Sequence, residues 1–495
     1  MGTIESLSYF IPELVLTGTL ALVIGAEFVL KRNRALVAAW IAAVGAAAAA
    51  LLGLGDVTKA ATQVFYDTTA VDAMVVFFRF FFSAVAVAVV VFTAPHAREE
   101  GSIGRRGAEF YALMMASLVG AYLLVGASDV VMVFIALELV SVPSYVMAGF
   151  FREDEKGAEA SVKYVIYGAF ASGTMFFGFS LLYGMTGHTN LYAIGTALRT
   201  MEPSLGLLTA AVLTLAGVGY KISMVPFHFW APDVYEGAPT PAAAFFAVGP
   251  KAAGVALLIR FIWAFGAGPL SETTGIWTTA GGLDWSAILA VFSVITMTLG
   301  NLAALLQTNL KRLLAYSGVA HAGYILMGLA AFSGTGLQAV LLYLMVYYFA
   351  NLAFFLIVDM VEQQTGSAEM SAFNDLGWRH PMLGVGMVIV LFSLTGLPPT
   401  AGFIGKWYLF AALIQKEIYW LAVAGVLNSV ISLWYYMRVA KAMWLDGGGE
   451  TTAAPMGRLS LPQAALAVVL VVPVLLFGIL WSPLAEIAAY AAGIF

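Results

Sequence analysis

Apolar runs of about twenty residues, each enough to cross roughly 30 Å of hydrocarbon as α-helix, recur from one end of this 495-residue chain to the other. Fourteen are distinguishable, centred near residues 19, 45, 83, 118, 140, 173, 218, 253, 294, 322, 348, 396, 430 and 471. Strands of a membrane barrel are about ten residues long and alternate in polarity, a pattern this chain lacks. The runs therefore predict an all-α polytopic membrane protein with about 14 transmembrane helices. Only 10% of residues are charged, 61% are hydrophobic and the mean hydropathy is +0.92, against about 25% charged residues in a soluble domain. The first run, Ser8 to Leu30, lacks a basic leader and is too long for a signal-peptide core, so it counts as the first helix.

Composition also removes several kinds of chemistry. There is no cysteine, hence no disulfide, thiolate metal site or cysteine-ligated iron–sulfur cluster. If the chain serves a redox machine, the electrons travel elsewhere, and no cofactor is expected on it. A net charge of −5 is small for this length and points to no nucleic acid partner. No His, Asp or Glu cluster has metal-ligand spacing, and Gly447-Gly448-Gly449 reads as a flexible linker without the lysine or the strand of a phosphate loop.

Of the Lys and Arg residues, fourteen fall in odd-numbered loops and three, Lys59, Arg199 and Lys416, in even ones. Under the positive-inside rule both termini are then periplasmic, in a bacterial inner membrane. Six cations remain inside apolar runs: Arg79, Lys221, Lys251, Arg260, Lys406 and Arg438. Prolines stand close to two of the lysines, at Pro226 after Lys221 and at Pro398-Pro399 before Lys406. Proline interrupts the backbone ladder, and in lipid the freed groups must be satisfied by protein or water. Helices seven and twelve are accordingly expected to be broken. An offset of five helices makes them run in opposite directions, as in an inverted repeat of helices 4–8 against 9–13. The expected division is residues 1–108 for helices one to three, 109–265 for the first repeat, 282–445 for the second and 460–495 for the last helix.

An ionised side chain at mid-bilayer costs about 2.5–3.5 kcal/mol on insertion scales, so each such group needs a partner, water or a change of protonation. Glu138 lies inside the fifth run. It is either a titrating group or a neutral acid bonded to a neighbouring helix. Lys221 and Lys251 lie about ten residues from the nearest loop, too far to snorkel, whereas Arg260 and Arg438 are near enough to helix ends to do so. Burial and a nearby carboxylate act on a lysine's charge in opposite senses, so a lysine at that depth can switch near physiological pH. Lys406 precedes Trp407 and Tyr408, an aromatic pair that would suit an interfacial anchor as well as a proton site. Lys163 is a solvated helix-start lysine or a relay that pairs with Glu138. His321 both donates and accepts near neutrality and suits a hand-off between Lys251 and Lys406, or a structural bond. His228 reads as a local packing residue. Asp72 and Arg79, seven apart on one helix face, are expected to pair or to meet a neighbouring subunit.

The stretch Leu215–Ser223 (LAGVGYKIS) running through Val225–Pro241 (VPFHFWAPDVYEGAPTP) resembles the antiporter-like membrane subunits of respiratory complex I, the NADH:quinone oxidoreductase. Leu137-Glu138-Leu139, Glu159–Tyr164, Lys311–Ser317 and Leu394–Lys406 fit the same family, so the likeness covers helices four to thirteen. Val248–Ala253 is similar to the N type among these subunits, and a lysine at 406 is unlike the M type. Tyr220 stands where phenylalanine is expected. The resemblance implies that Glu138 and Lys221 form a charge pair, that Lys251 is the central relay and that Lys406 is nearest the outward route. It implies NADH, FMN, iron–sulfur clusters and quinone in other subunits, and as partners the lipid bilayer, subunit M and small subunits such as K and J. The alternative is a subunit of a multi-subunit cation/proton antiporter, a membrane-bound hydrogenase or a ferredoxin-linked relative.

Overall fold

The computed structural model describes residues 2–30, 33–57, 59–93, 103–151, 153–202, 204–270, 277–279, 283–446 and 460–493. The Gly447-Gly448-Gly449 linker lies outside the described residues. The helices follow the apolar runs: α1 Ile11–Val29, α2 Arg34–Gly53, α3 Ala73–Thr93, α4 Gly107–Gly126, α5 Val130–Ala148 and α6 Glu155–Thr186. Then come α7a Leu205–Ile222, α7b Trp230–Gly237, α8 Thr240–Phe261, α9 Trp285–Ala304, α10 Leu310–Ala330 and α11 Gly334–Thr365. The series ends with α12a Pro381–Thr395, α12b Ala401–Gln415, α13 Tyr419–Trp444 and α14 Leu461–Ile479. Thirteen described helices are long and apolar enough to span a membrane by themselves. One bent pair, Met370–Arg379 with Pro381–Thr395, brings the number to fourteen when taken as a single span. Two short ribbons, Thr62–Val64 with Thr69–Val71 and Ala267–Leu270 with Trp277–Thr279, occupy even-numbered loops. Strands this short carry too few alternations to stand out in sequence.

The two five-helix units repeat each other in detail. Helices α6 and α11 are each 32 residues long. Each starts on an N-cap side chain, Asp154 or Ser333, that accepts a backbone N–H and so satisfies one of the free donors of a helix start. Each ends on a glycine at φ 71°, Gly187 and Gly366, the left-handed stop that glycine adopts without steric cost. The N-caps of α5 and α10, Asp129 and Asn309, form isolated antiparallel bridges with Asn190 and Glu369, which follow those glycines. Gly120 on α4 lies so close to α5 that an added Cβ would stand 2.6 Å from the Val140 nitrogen; Gly300 on α9 meets Ala320 of α10 at the same 2.6 Å. The core lies where the units join. Helix α8 is buried along its whole length, as a helix apolar on every side must be.

Both breaks form where the prolines predict, and protein groups satisfy the freed backbone. Helix α7a stops at Ile222, with Ser223 left-handed at φ 62°. Trp230 Nε1 donates to the Tyr220 carbonyl at 2.9 Å, and Val225 N donates to Thr296 Oγ1 at 3.2 Å. In α12 the chain turns at Gly396, φ 88°. There Lys406 Nζ reaches back to the Thr395 carbonyl at 2.7 Å, and Gly402 N donates to Ser393 Oγ at 3.1 Å.

Two buried arginines order the first three helices, Arg79 holding them to one another and Arg260 fastening them to α8, and neither behaves as its position suggests. Arg79 does not pair with Asp72. It binds Glu13 at 2.6 Å and Asp56 at 2.8 Å, because those carboxylates approach from α1 and the end of α2. Asp72 is taken by Arg260 at 2.5 Å, whose other amine donates to the Val125 carbonyl at 2.8 Å. Arg260 thus turns into the protein instead of snorkelling. Asp72 offers a fixed partner inside the bundle, where an ammonium or guanidinium would otherwise stand unpaired.

Candidate functional site

Three lysines define the site. Lys221 on α7a, Lys251 on α8 and Lys406 on α12b are 2%, 2% and 3% exposed, which excludes snorkelling for all three. Each lies against a glycine that leaves room for it. A Cβ on Gly254 would meet the Lys221 stem at 3.0 Å, one on Gly318 would meet Lys251 Nζ at 2.6 Å, and one on Gly396 would meet Lys406 Cδ at 2.6 Å.

Lys221 sits in the last turn of α7a, where the carbonyl end of the helix dipole favours a cation by about 0.3–1 kcal/mol, more when partly buried. Its Nζ donates to Ser141 Oγ at 2.9 Å, and Ser141 donates onward to the Leu137 carbonyl at 2.6 Å. Glu138, half-buried on α5, shares this neighbourhood, but Ser141 and not its carboxylate is the group bonded to Lys221. Gly254, against the Lys221 stem, stands three residues along α8 from Lys251, so that one helix joins the two lysines.

Lys251 follows Pro250, which has no N–H for the Phe246 carbonyl. Its own Nζ donates to the Gly318 carbonyl of α10 at 3.0 Å. One turn further on α10 stands His321, 4% exposed, with Nδ1 2.6 Å from the Tyr343 hydroxyl and Nε2 3.3 Å from that of Tyr436. Tyr436 also meets Ser317 Oγ at 2.6 Å. A hydroxyl on each side of an imidazole can both give and take a proton.

Lys406 ends the line. Besides Thr395 it donates to Ser429 Oγ at 3.1 Å, and its Nζ lies 4.3 Å from the centroid of the Tyr324 ring, a favourable place for a cation. Tyr324 in turn lies 6.0 Å from His321 and 6.4 Å from Tyr343, ring to ring. A cavity of about 210 Å³ with Lys406 and Ser429 in its lining reaches Trp407, Val426 and Val430, all exposed on the flank of the bundle. Trp407 therefore faces outward while its neighbour Lys406 faces inward.

Lys163 is not joined to Glu138. It pairs with Asp233 at 2.5 Å and with Glu159 at 2.6 Å, at the odd-loop face, because α7b brings Asp233 across the start of α6. Arg312 of the second unit binds the same Asp233 at 2.5 Å and Glu236 at 3.1 Å, and Lys156 binds Glu236 at 2.9 Å. Lys311 meets Glu362 at 3.0 Å, and Thr240 bonds that carboxylate as well. His228, in the break of α7, is buried against Phe229. Among the described residues no group of three or more His, Cys, Asp or Glu is placed to hold a metal.

Sequence reasoning missed the hydroxyl partners Ser141, Tyr343 and Tyr436, and the seam residues Asp233, Glu236 and Arg312. A signal existed for one set. Tyr343, Tyr347, Asn351 and Asp359 recur at multiples of four along one apolar run, the spacing of neighbours on a helix surface.

Two oppositely oriented five-helix units, each with a broken helix and a lysine at the break, define an antiporter-like membrane subunit. The family model described as NADH:quinone oxidoreductase/Mrp antiporter, TM, matches residues 127–432, and the chain belongs to that family. A relative from Anaeromyxobacter sp. (strain Fw109-5), NADH-quinone oxidoreductase subunit N, is 45% identical over 97% of this chain and 95% of its own. Among solved structures, a chain of respiratory complex I from Thermus thermophilus with bound aureothin is similar at a TM-score of 0.78 and 28% identity. That match covers 97% of this chain and 99% of the other. A chain of the Mrp complex from Dietzia sp. DQ12-45-1b shares the fold at a TM-score of 0.83 and 20% identity, over 98% and 97% of the two chains.

Proposed function

We propose that this chain is a proton-translocating membrane subunit of an NADH:quinone oxidoreductase, of the N type, whose electron-carrying cofactors reside in other subunits. The observation that carries this reading is the row of three lysines, each almost wholly buried and each donating to a hydroxyl or carbonyl oxygen, Lys221 to Ser141, Lys251 to Gly318, and Lys406 to Thr395 and Ser429. A change elsewhere in the complex alters the Glu138–Lys221 interaction across Ser141. Lys221 then gains or loses its proton, and the proton passes by way of Lys251 and His321 to Lys406. Lys163 acts with Asp233 at the odd-loop end of the first unit. Moving one charge against 100 mV costs about 2.3 kcal/mol, and one pKa unit is about 1.36 kcal/mol. A change of under two units at a buried lysine is thus of the required size. The even loops and both termini face the periplasm of a bacterial inner membrane, and the neighbours are subunit M and small subunits such as K and J.

Lys221→Ala in the intact oxidoreductase, with quinone reduction and proton pumping followed separately in inverted vesicles, tests the reading. Pumping is expected to fall while assembly persists. Wild-type pumping and turnover together would remove Lys221 from the path.

A further inference from the structure

Helix α11 carries a line of polar groups that the path from Lys221 to Lys406 does not use. Tyr343, which bonds His321, is followed at four-residue steps by Tyr347 and Asn351, then by Phe355 and Asp359, with Glu362 one turn beyond. Steps of four on a helix rise about 6 Å each, so the line runs from mid-membrane to the odd-loop end. Asn351 is fully buried, and neither its amide nitrogen nor its amide oxygen has a protein partner. The Tyr347 hydroxyl is likewise buried without a partner. An unsatisfied buried amide is costly, and in the middle of an apolar run packing does not account for it. Tyr347 lies next to Lys251: a Cβ on Gly318 would be 2.6 Å from Lys251 Nζ and 3.4 Å from the Tyr347 hydroxyl.

At its other end the line opens into a cavity of about 470 Å³ lined by Asp359, Glu362, Glu236 and Lys311. Between that cavity and Asn351 stands Phe355, whose ring centroid is 6.0 Å from that of Tyr235 on α7b. The Tyr235 hydroxyl is buried and unpartnered too, and Lys251 Nζ lies 6.0 Å from the centroid of its ring. Polar cavity, aromatic pair, free amide, free hydroxyl and lysine therefore follow one another along the seam between the two units.

We propose that this seam, from the Asp359–Glu362 cavity past Phe355 to Asn351, Tyr347 and Lys251, is a second proton intake that loads Lys251 without passing Lys221. A proton from solvent protonates a carboxylate at the cavity. Water carriers hydrogen-bonded to Asn351 and Tyr347 conduct it, and it ends on the Lys251 amine as the ammonium, with no other bond or electron transferred. Asn351 is a positioning residue: its amide holds the carrier and does not itself exchange the proton. Phe355 and Tyr235 form the apolar constriction.

This intake rests on the proposed relay through Lys251, so the experiment separates the two. In inverted vesicles holding the intact oxidoreductase, Lys251→Ala tests the relay, and Asn351→Leu alone and with Lys221→Ala tests the intake. Asn351→Leu is expected to slow pumping about tenfold, Asn351→Asp to restore it, and the double variant to lose the pumping that Lys221→Ala retains. The chain has no cysteine, so Asn351→Cys adds a second readout. A small cationic thiol reagent applied to the odd-loop face during turnover is expected to modify the introduced thiol. Loss of pumping in Lys251→Ala with wild-type pumping in Asn351→Leu, alone and relative to Lys221→Ala, overturns the intake and leaves the relay standing. So does a thiol in Asn351→Cys that stays unreactive from that face. Wild-type pumping in Lys251→Ala overturns both.

Discussion

A buried imidazole between two phenols is informative because each of its nitrogens has one defined neighbour. His321 holds Tyr343 at 2.6 Å and Tyr436 at 3.3 Å, so its tautomer decides which hydroxyl donates. Glutamine also offers a donor and an acceptor, but it does not titrate. His321→Gln should therefore preserve the assembled complex while slowing proton pumping, measured against quinone turnover in the same vesicles; unaltered pumping would return His321 to a structural role. The same logic separates the lysines from the arginines. Arg79 and Arg260 each hold a carboxylate inside the bundle and are fixed charges, because a guanidinium does not give up its proton in proteins. Lys251 and Lys406 bond only neutral oxygens, leaving their charge free to change. That distinction was invisible in sequence, where all six cations looked alike and only depth within a run told them apart.

At the scale of elements, close approach of helices sets the frame that holds those residues. Gly120 and Gly300 let α4 pack on α5 and α9 on α10 with backbone nearly touching backbone. A methyl group there meets main-chain atoms, which cannot swing aside as a side chain can. Gly300→Ala is expected to destabilise the fold by about 1–3 kcal/mol, the usual cost of overpacking, read as a lower melting temperature of the purified chain in detergent. Gly120→Ala should lose a similar amount, and an unchanged melting temperature in both would mean the contacts are looser than their geometry. The broken helices were legible from sequence because proline acts locally and in the same way wherever it stands. The partners of the freed groups were not: Trp230 and Ser393 fold back from across each break, and Thr296 is brought there from α9 only by the tertiary fold.

For the whole molecule, fourteen spans and their opposed halves could be read from run length and proline position, since hydrocarbon thickness imposes both. Which charges meet across the bundle could not. Glu138 was expected to pair with Lys221, and Lys163 either to be solvated at its helix start or to pair with Glu138, whereas Ser141 bonds the first lysine and Asp233 the second. Asp233 and Glu236 of the first unit bind Arg312 of the second, so the halves are fastened at the odd-loop face. These side chains are a fifth to a third exposed, and an exposed ion pair is worth about 1 kcal/mol or less. Asp233→Ala is therefore expected to lower the stability of the chain modestly at low salt and less at high salt, where screening has already weakened the pairs. Thermal melts in two salt concentrations would show this, and identical losses in both would argue against an electrostatic fastening. Because Asp233 is gripped by a lysine from one half and an arginine from the other, neither half can tilt at that face without dragging on its twin. A nudge delivered by an adjoining chain to the short helix carrying Asp233 would be passed on to the roots of α6 and α10, the second of which holds the histidine.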